Sequence, residues 1–193
     1  IEEAADFLEE VPEKHKFMVT SCCPSWSDMV KKLFPQFEKN ISVAFTPMVL
    51  TARMIKRDHP DCKVVFVGPC DSKKLEARRE SVRSDVDFVL TFEEVMGMFE
   101  AKAIKFSEVA AGPELVEATA DGRGFAVSGG VANAVVNAIL LEGMACPGGC
   151  VAGAGTLQNP VKSTAALNKY KASAPEKYSV DSKYEITLNL LHD

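Results

Sequence analysis

Apolar residues recur along this chain with two periods that take turns. Near the N-terminus Ile1, Ala4, Ala5, Leu8 and Val11 fall on one side of a helix predicted over residues 1–11. A short strand over 17–20 runs straight into Ser21-Cys22-Cys23-Pro24. Pro24 suits the first turn of a helix; Trp26, Met29, Val30 and Leu33 then recur at helical spacing until Phe34-Pro35 stops it. Thr46-Pro47 opens a second helix, expected to about Arg57. Residues 63–68 form a continuous apolar run, the pattern of a strand buried on both faces of a parallel sheet. It ends in Pro69-Cys70, and a charged helix is predicted over 71–80. Another short strand covers 87–90, and Thr91 with Glu94 marks an N-cap for a helix over 93–101. Ser128-Gly129-Gly130 opens a helix to about Leu141, followed by a glycine-rich loop over 146–155. A helix near 162–171 and a strand near 184–190 close the chain.

Strands alternating with helices predict an α/β fold. The expected form is mainly parallel twisted sheets with flanking helices, in two lobes, with the cysteine loops at the strand C-terminal ends between them. No internal repeat or low-complexity segment interrupts this order.

Composition narrows the function classes. The chain has 193 residues, 47% hydrophobic and 25% charged, which is ordinary for a globular protein able to bury a core without disulfides. A net charge of -5, with lysines interleaved among acids, argues against a surface that tracks nucleic-acid phosphates. No stretch reaches the roughly 20 apolar residues of a membrane helix; the longest apolar window, 126–141, is broken by Ser128, Gly129, Gly130, Asn133 and Asn137. Ile1-Glu2-Glu3-Ala4 is acidic where a secretory leader is basic, so a cytoplasmic location is the expectation.

The six cysteines change the picture most, because in a chain of this kind they suggest metal or redox chemistry. Cys22-Cys23 and Pro69-Cys70 sit where a strand hands over to a helix, the end of an α/β sheet where ligands bind. Free N–H groups and the dipole at a helix start favour the thiolate, which is the metal-binding form. Cys146-Pro147-Gly148-Gly149-Cys150 adds glycines that let backbone approach an inorganic cluster. Four thiolates serve an iron–sulfur cluster or a structural zinc. Cys62, just before the apolar run, reads as a small core or loop residue. Neighbouring residues rarely face one metal, so Cys22 and Cys23 are expected to have different jobs.

Three motifs carry a resemblance. Residues 20–26 (TSCCPSW) resemble the TSCCPxW signature of iron-only ([FeFe]) hydrogenases, residues 69–76 (PCDSKKLE) their MPCxxKxxE, and residues 142–155 (EGMACPGGCVAGAG) their ExMACxxGCxxGGG. The order is also that of the family, and the likeness runs over nearly the whole chain, 1–193, as a single partial catalytic domain. The resemblance implies a [4Fe–4S] cluster held by Cys23, Cys70, Cys146 and Cys150. Cys150 would also bridge to a two-iron subcluster carrying CO, cyanide and a dithiolate amine. Cys22 would pass protons to that amine, Lys73 would donate to an iron-bound cyanide, and Met144 and Phe125 would pack around the two-iron site. The proton path would continue through Glu3 (or its neighbour Glu2), Ser42 and Asp6. The implied reaction interconverts protons, electrons and H2. Its electron partner would be a ferredoxin-type carrier or an N-terminal iron–sulfur domain; no ferredoxin-like cysteine motif occurs in this chain.

The sequence also departs from the family. Gly68 stands where its most active members have Met, and Met48 where they have Gln. Gly143 replaces a bulkier residue and Ala154 a glycine. The stretch from Gly130 to Met144 is several dozen residues shorter, and the first active-site loop of the family has no counterpart. These changes support a second reading, a non-catalytic iron–sulfur module acting as a hydrogen or redox sensor or an electron-transfer scaffold. Cys22 and Lys73 favour the enzyme.

Overall fold

The computed structural model describes residues 2–112, 118–135, 140–141 and 143–178. Its elements are helices α1 (Glu2–Glu10), α2 (Pro24–Leu33), α3 (Pro47–Asp58), α4 (Ser72–Glu76), α5 (Phe92–Ala101), α6 (Ala120–Arg123), α7 (Gly130–Val135) and α8 (Pro160–Ala172). The strands are β1 (Met18–Val19), β2 (Val65–Gly68), β3 (Phe88–Thr91) and β4 (Leu140–Leu141). Short 3-10 turns cover Pro35–Asn40, Phe106–Glu108 and Cys150–Ala152. The strand expected near 184–190 lies outside the described residues.

Two parallel sheets organise these elements, as the alternating pattern predicts. β1 pairs with β4, Met18 opposite Leu140 and Val19 opposite Leu141, and Val19 also bridges to Ile41 on its other side. β2 pairs with β3 over four residues, Val65 opposite Phe88 through Gly68 opposite Thr91. One cluster of buried side chains gathers Met48, Val49 and Ala52 of α3 with Val82 and Val86, and Phe66 and Val89 reach it from the second sheet. A smaller cluster joins Phe7 of α1 to Met18 of β1.

Caps and ion pairs fix the joints. Thr91 and Glu94 form the expected capping box: the Glu94 amide donates to Thr91 Oγ1 and the Thr91 amide to Glu94 Oε2. Asp87 accepts from the Val64 amide at 2.8 Å and lies 2.8 Å from Lys56 and 3.0 Å from Lys63. Lys56 above all, then the amide and Lys63, hold its carboxyl well below the usual carboxylate range. That contact pins β3 against the start of β2 and the end of α3.

Four sequence expectations need correction. The α1 face turned to the core carries Phe7, which is 8% exposed, whereas Leu8 is 78% exposed. Tertiary packing against Met18 selects the face, and the stripe of small residues does not. The apolar strand β2 is buried on one face only: Val65 and Val67 are 48% and 44% exposed, and Phe88 opposite them 62%. Among the described residues this sheet has two strands, and its packed face is the one that bears Phe66 and Val89. The charged helix ends at Glu76 and continues as turns, because Arg78 and Arg79 bond three residues back, to Leu75 and Glu76. The helix opened by Gly130 does not persist to Leu141, since Leu140 and Leu141 instead pair with β1.

The β4 pairing also shapes the site. β1, β2 and β4 each lead from a parallel strand into a cysteine loop. All three loops therefore leave strand C-terminal ends, whereas the sequence pattern placed only two of them there.

Candidate metal centre

Hydrogen bonds knit the three cysteine loops into one unit. Ser25 of the first loop and Ser72 of the second share a hydroxyl bond of 2.5 Å. The Gly155 amide of the third donates to the Pro69 carbonyl of the second at 3.0 Å. The Gly143 amide donates to Thr20 Oγ1 of the first at 3.2 Å, and Thr20 is fully buried. Cys22 Sγ also reaches Thr20 Oγ1, at 3.8 Å. Thr20 thus joins the first and third loops through one hydroxyl.

Two glycines are required where they stand. Gly149 has φ +94°, in the left-handed region, and an added Cβ would lie 2.6 Å from the Ala126 carbonyl oxygen. Gly143 lies against the indole of Trp26, where a Cβ would come within 1.9 Å of Nε1. That contact explains why this chain carries glycine at a position where the family has a bulkier residue: the indole occupies the space.

None of the six cysteines is in a disulfide, and each is half-buried. Burial, then the neighbouring Cys23, Cys70 and Cys146, pushes the Cys150 thiol up to about 11, with Lys73 pulling the other way. Burial, then Cys70 and Cys23, also raises the Cys146 thiol. Cys23, Cys70, Cys146 and Cys150 therefore lie within one another's electrostatic reach. Of the adjacent pair, it is Cys23 whose charge acts on Cys146 and Cys150. Among the described residues no three His, Cys, Asp or Glu side chains are gathered tightly enough to clasp a single ion. A quartet that shares a field yet stands apart fits a group larger than one ion. Cys62 stays outside it, in the turn before β2, where its amide bonds the His59 carbonyl.

Lys73 is buried beside this quartet. Its ammonium donates to Glu76 Oε2 at 2.8 Å and to the Cys22 carbonyl at 3.4 Å. The pair follows the i, i+3 spacing of a helix. Glu76 was not singled out from the sequence as a site residue, although it closes the second motif. Phe125 and Met144 are both half-buried. Met144 belongs to the third loop; Phe125 precedes the 126–128 segment that bonds to that loop through Ala126 with Val151 and Ser128 with Gly148.

The acidic residues of the predicted relay approach the first loop from α1. Glu3 Oε1 accepts from the Ser21 amide at 3.2 Å, one residue from Cys22. Ser42 donates to Asp6 Oδ2 in a short contact, and the Val43 amide donates to the same oxygen at 3.1 Å. The Ala44 amide holds Ser42 Oγ at 3.1 Å. Cys22, Glu3, Ser42 and Asp6 thus lie along one side of β1, between α1 and the Val19–Ile41 bridge.

Comparison with known proteins agrees with this architecture. The family described as the C-terminal domain of the iron only hydrogenase large subunit matches residues 1–140. The chain is 32% identical over 152 residues to iron hydrogenase 1 of Clostridium pasteurianum, covering 70% of this chain and 26% of that protein. It is 28% identical over 153 residues to the periplasmic [Fe] hydrogenase large subunit of Nitratidesulfovibrio vulgaris, covering 70% of this chain and 36% of that one. It is also 30% identical over 102 residues to the cytosolic Fe-S cluster assembly factor NAR1 of Kluyveromyces lactis, covering 53% and 22%. The chain spans about a quarter to a third of the length of these relatives. Among solved structures, an [FeFe]-hydrogenase superposes with TM-score 0.73 at 17% identity, covering 100% of this chain and 76% of that one. The apo [FeFe]-hydrogenase of Chlamydomonas reinhardtii gives 0.69 at 18%, with the same coverage. The chain belongs to the family of iron-only hydrogenase catalytic domains, the C-terminal domains of the large subunits.

Proposed function

We propose that this chain is the cluster-binding core of an iron-only hydrogenase, in which protons and electrons are interconverted with H2. Cys23, Cys70, Cys146 and Cys150 would hold a [4Fe–4S] cluster, with Cys150 shared with a two-iron subcluster bearing CO, cyanide and a dithiolate amine. When bound, these groups supply the electron reservoir and the low-valent metal on which H2 is made or split. The protein moves the proton and holds the cofactor in place. Lys73, fixed by Glu76, presents a compact buried ammonium to cyanide. Glu3 at the Ser21 amide and the Ser42–Asp6 bond continue the proton path from Cys22 towards the surface. Electrons would come from a ferredoxin-type carrier or an N-terminal iron–sulfur domain.

The observation that carries this reading is Cys22. A module that only holds a cluster has no use for a second thiol beside Cys23, tied through Thr20 to the third loop and flanked by an acidic chain. Replacing Cys22 by Ala is expected to abolish turnover while iron and sulfide content stay at wild-type levels. Unchanged turnover would remove Cys22 from the path, and loss of the cluster would exchange its role with that of Cys23.

A second reading is supported by the assembly-factor relatives and by Gly68 and Met48: an iron–sulfur module without turnover, serving as a sensor or an electron-transfer scaffold. It predicts a [4Fe–4S] protein indifferent to Cys22.

A further inference from the structure

On the side of the first loop away from the quartet lies a polar cavity of about 410 Å³. Its wall carries Ser21, Ser42, Thr46 and Glu76, and the more exposed Lys31 and Arg79 also line it. Thr46 precedes α3 in the N-cap position, where a threonine hydroxyl ordinarily accepts a backbone N–H. Here it makes no capping bond. The residue is 6% exposed, and its Oγ1 is buried with no hydrogen-bond partner. A buried hydroxyl left unpaired is unfavourable, so such an atom points to a ligand that completes it.

The neighbouring groups say which ligand. Glu76 is 3% exposed and spends Oε2 on Lys73, and a carboxylate accepts more donors than that one. Ser42 Oγ donates to Asp6 and accepts from the Ala44 amide, which leaves one of its two acceptor positions open. The wall thus offers a hydroxyl that can donate and accept, a carboxylate that accepts, and a hydroxyl with one position to fill. It is polar and large enough for several waters, the two conditions under which a cavity hydrates.

We infer that this cavity is an internal water site, anchored on the Thr46 hydroxyl and joining Glu76 and Ser42 to solvent beside Lys31 and Arg79. Water is the small molecule that can both donate to Ser42 and Glu76 and pair with Thr46. Each water in such a chain accepts one proton and passes one on, so charge crosses the cavity with no net change in any water. Ser42 gains a second route to solvent, independent of Glu3. The water site stands on the cavity and the orphaned hydroxyl; its use as a proton inlet rests on the hydrogenase reading.

High-resolution crystal structures of the full chain and of Thr46→Ser and Thr46→Val test the site without any cofactor activity. Ordered water within hydrogen-bond distance of Oγ1 is expected in wild type and Thr46→Ser, and displaced in Thr46→Val. A dry cavity in wild type, or a Thr46 hydroxyl turned onto a protein carbonyl, overturns the inference. If Thr46→Val does not fold, the wild-type structure and Thr46→Ser decide alone. In cofactor-loaded protein, the residual H2–D2O exchange of Glu3→Gln is expected to fall several-fold when Thr46→Val is added. Equal exchange in both overturns the inlet while leaving the hydrogenase reading in place, since that reading is judged by Cys22.

Discussion

The two sheets of this molecule present opposite kinds of surface. Around β1 nearly every chemically active side chain is held by a specific polar contact: Thr20 to Gly143, Ser42 to Asp6, Glu3 to Ser21. Around β2 and β3 the strands are longer and more apolar, yet Val65, Val67 and Phe88 face outward. Parallel sheets are normally covered on both faces, so the outer face of the second sheet is apolar surface with nothing packed on it among the described residues. The first region is specified by hydrogen bonds that a single substitution can break. The second is specified by pattern, and its exposed half tolerates change.

Breaking the first region at its metal ligands is expected to have the largest effect. Replacing Cys70 or Cys146 by Ser removes one of four thiolates, and iron, sulfide and brown absorbance should fall to background after anaerobic reconstitution, while Cys62→Ser retains them. Equal retention in all three variants would dissolve the quartet. Next comes the buried ion pair. Glu76→Ala leaves the Lys73 ammonium buried and uncompensated and should cost about 3–5 kcal/mol in denaturant unfolding. The double variant Lys73→Met, Glu76→Leu should recover most of that loss, because both charges leave together. Similar losses in single and double variants would mean that packing matters here and pairing does not.

The sheets can then be set directly against each other. Met18→Ala in β1 opens a hole under Phe7 and should cost about 2–5 kcal/mol. Phe88→Ser on the outer face of β3 should change stability by no more than about 0.5 kcal/mol and should lower aggregation. A large loss at Phe88 would show that something covers that face in solution. The smallest effect is a pH drift. Burial raises the Cys150 thiol from 9.0 to about 11, so the folded metal-free protein holds this proton more tightly than the unfolded chain does. Its contribution is fully present below pH 9 and is lost as pH rises from 9 towards 11. Unfolding curves of metal-free protein should weaken over that window, and less so in Cys150→Ser.

Much of this was legible in the sequence, for reasons that differ by region. Strand and helix order followed from apolar period, and the Thr91–Glu94 cap from two residues at fixed spacing, because both signals are local. The motifs at residues 20–26, 69–76 and 142–155 marked the loops before any geometry was known. What could not be read was non-local. Leu8 looked as suitable for the core as Phe7 until Met18 selected the face. The β4 strand was concealed inside an apparent helix, because a two-residue pairing with β1 leaves no periodic trace. Thr20 acts through a partner 123 residues away and Glu76 through one 3 residues away. Thr46 matters because its hydroxyl is buried without a partner. Of these three, only the Lys73–Glu76 spacing left a signal in the sequence.

The central claim is that Cys150 and Lys73 hold a two-iron site beside the cluster. It is tested most directly by an infrared spectrum of protein reconstituted anaerobically and supplied with a synthetic two-iron cofactor. The account predicts bands from iron-bound CO and cyanide, with the cyanide bands shifted in Lys73→Met. A brown protein without those bands would contradict it and leave a [4Fe–4S] module.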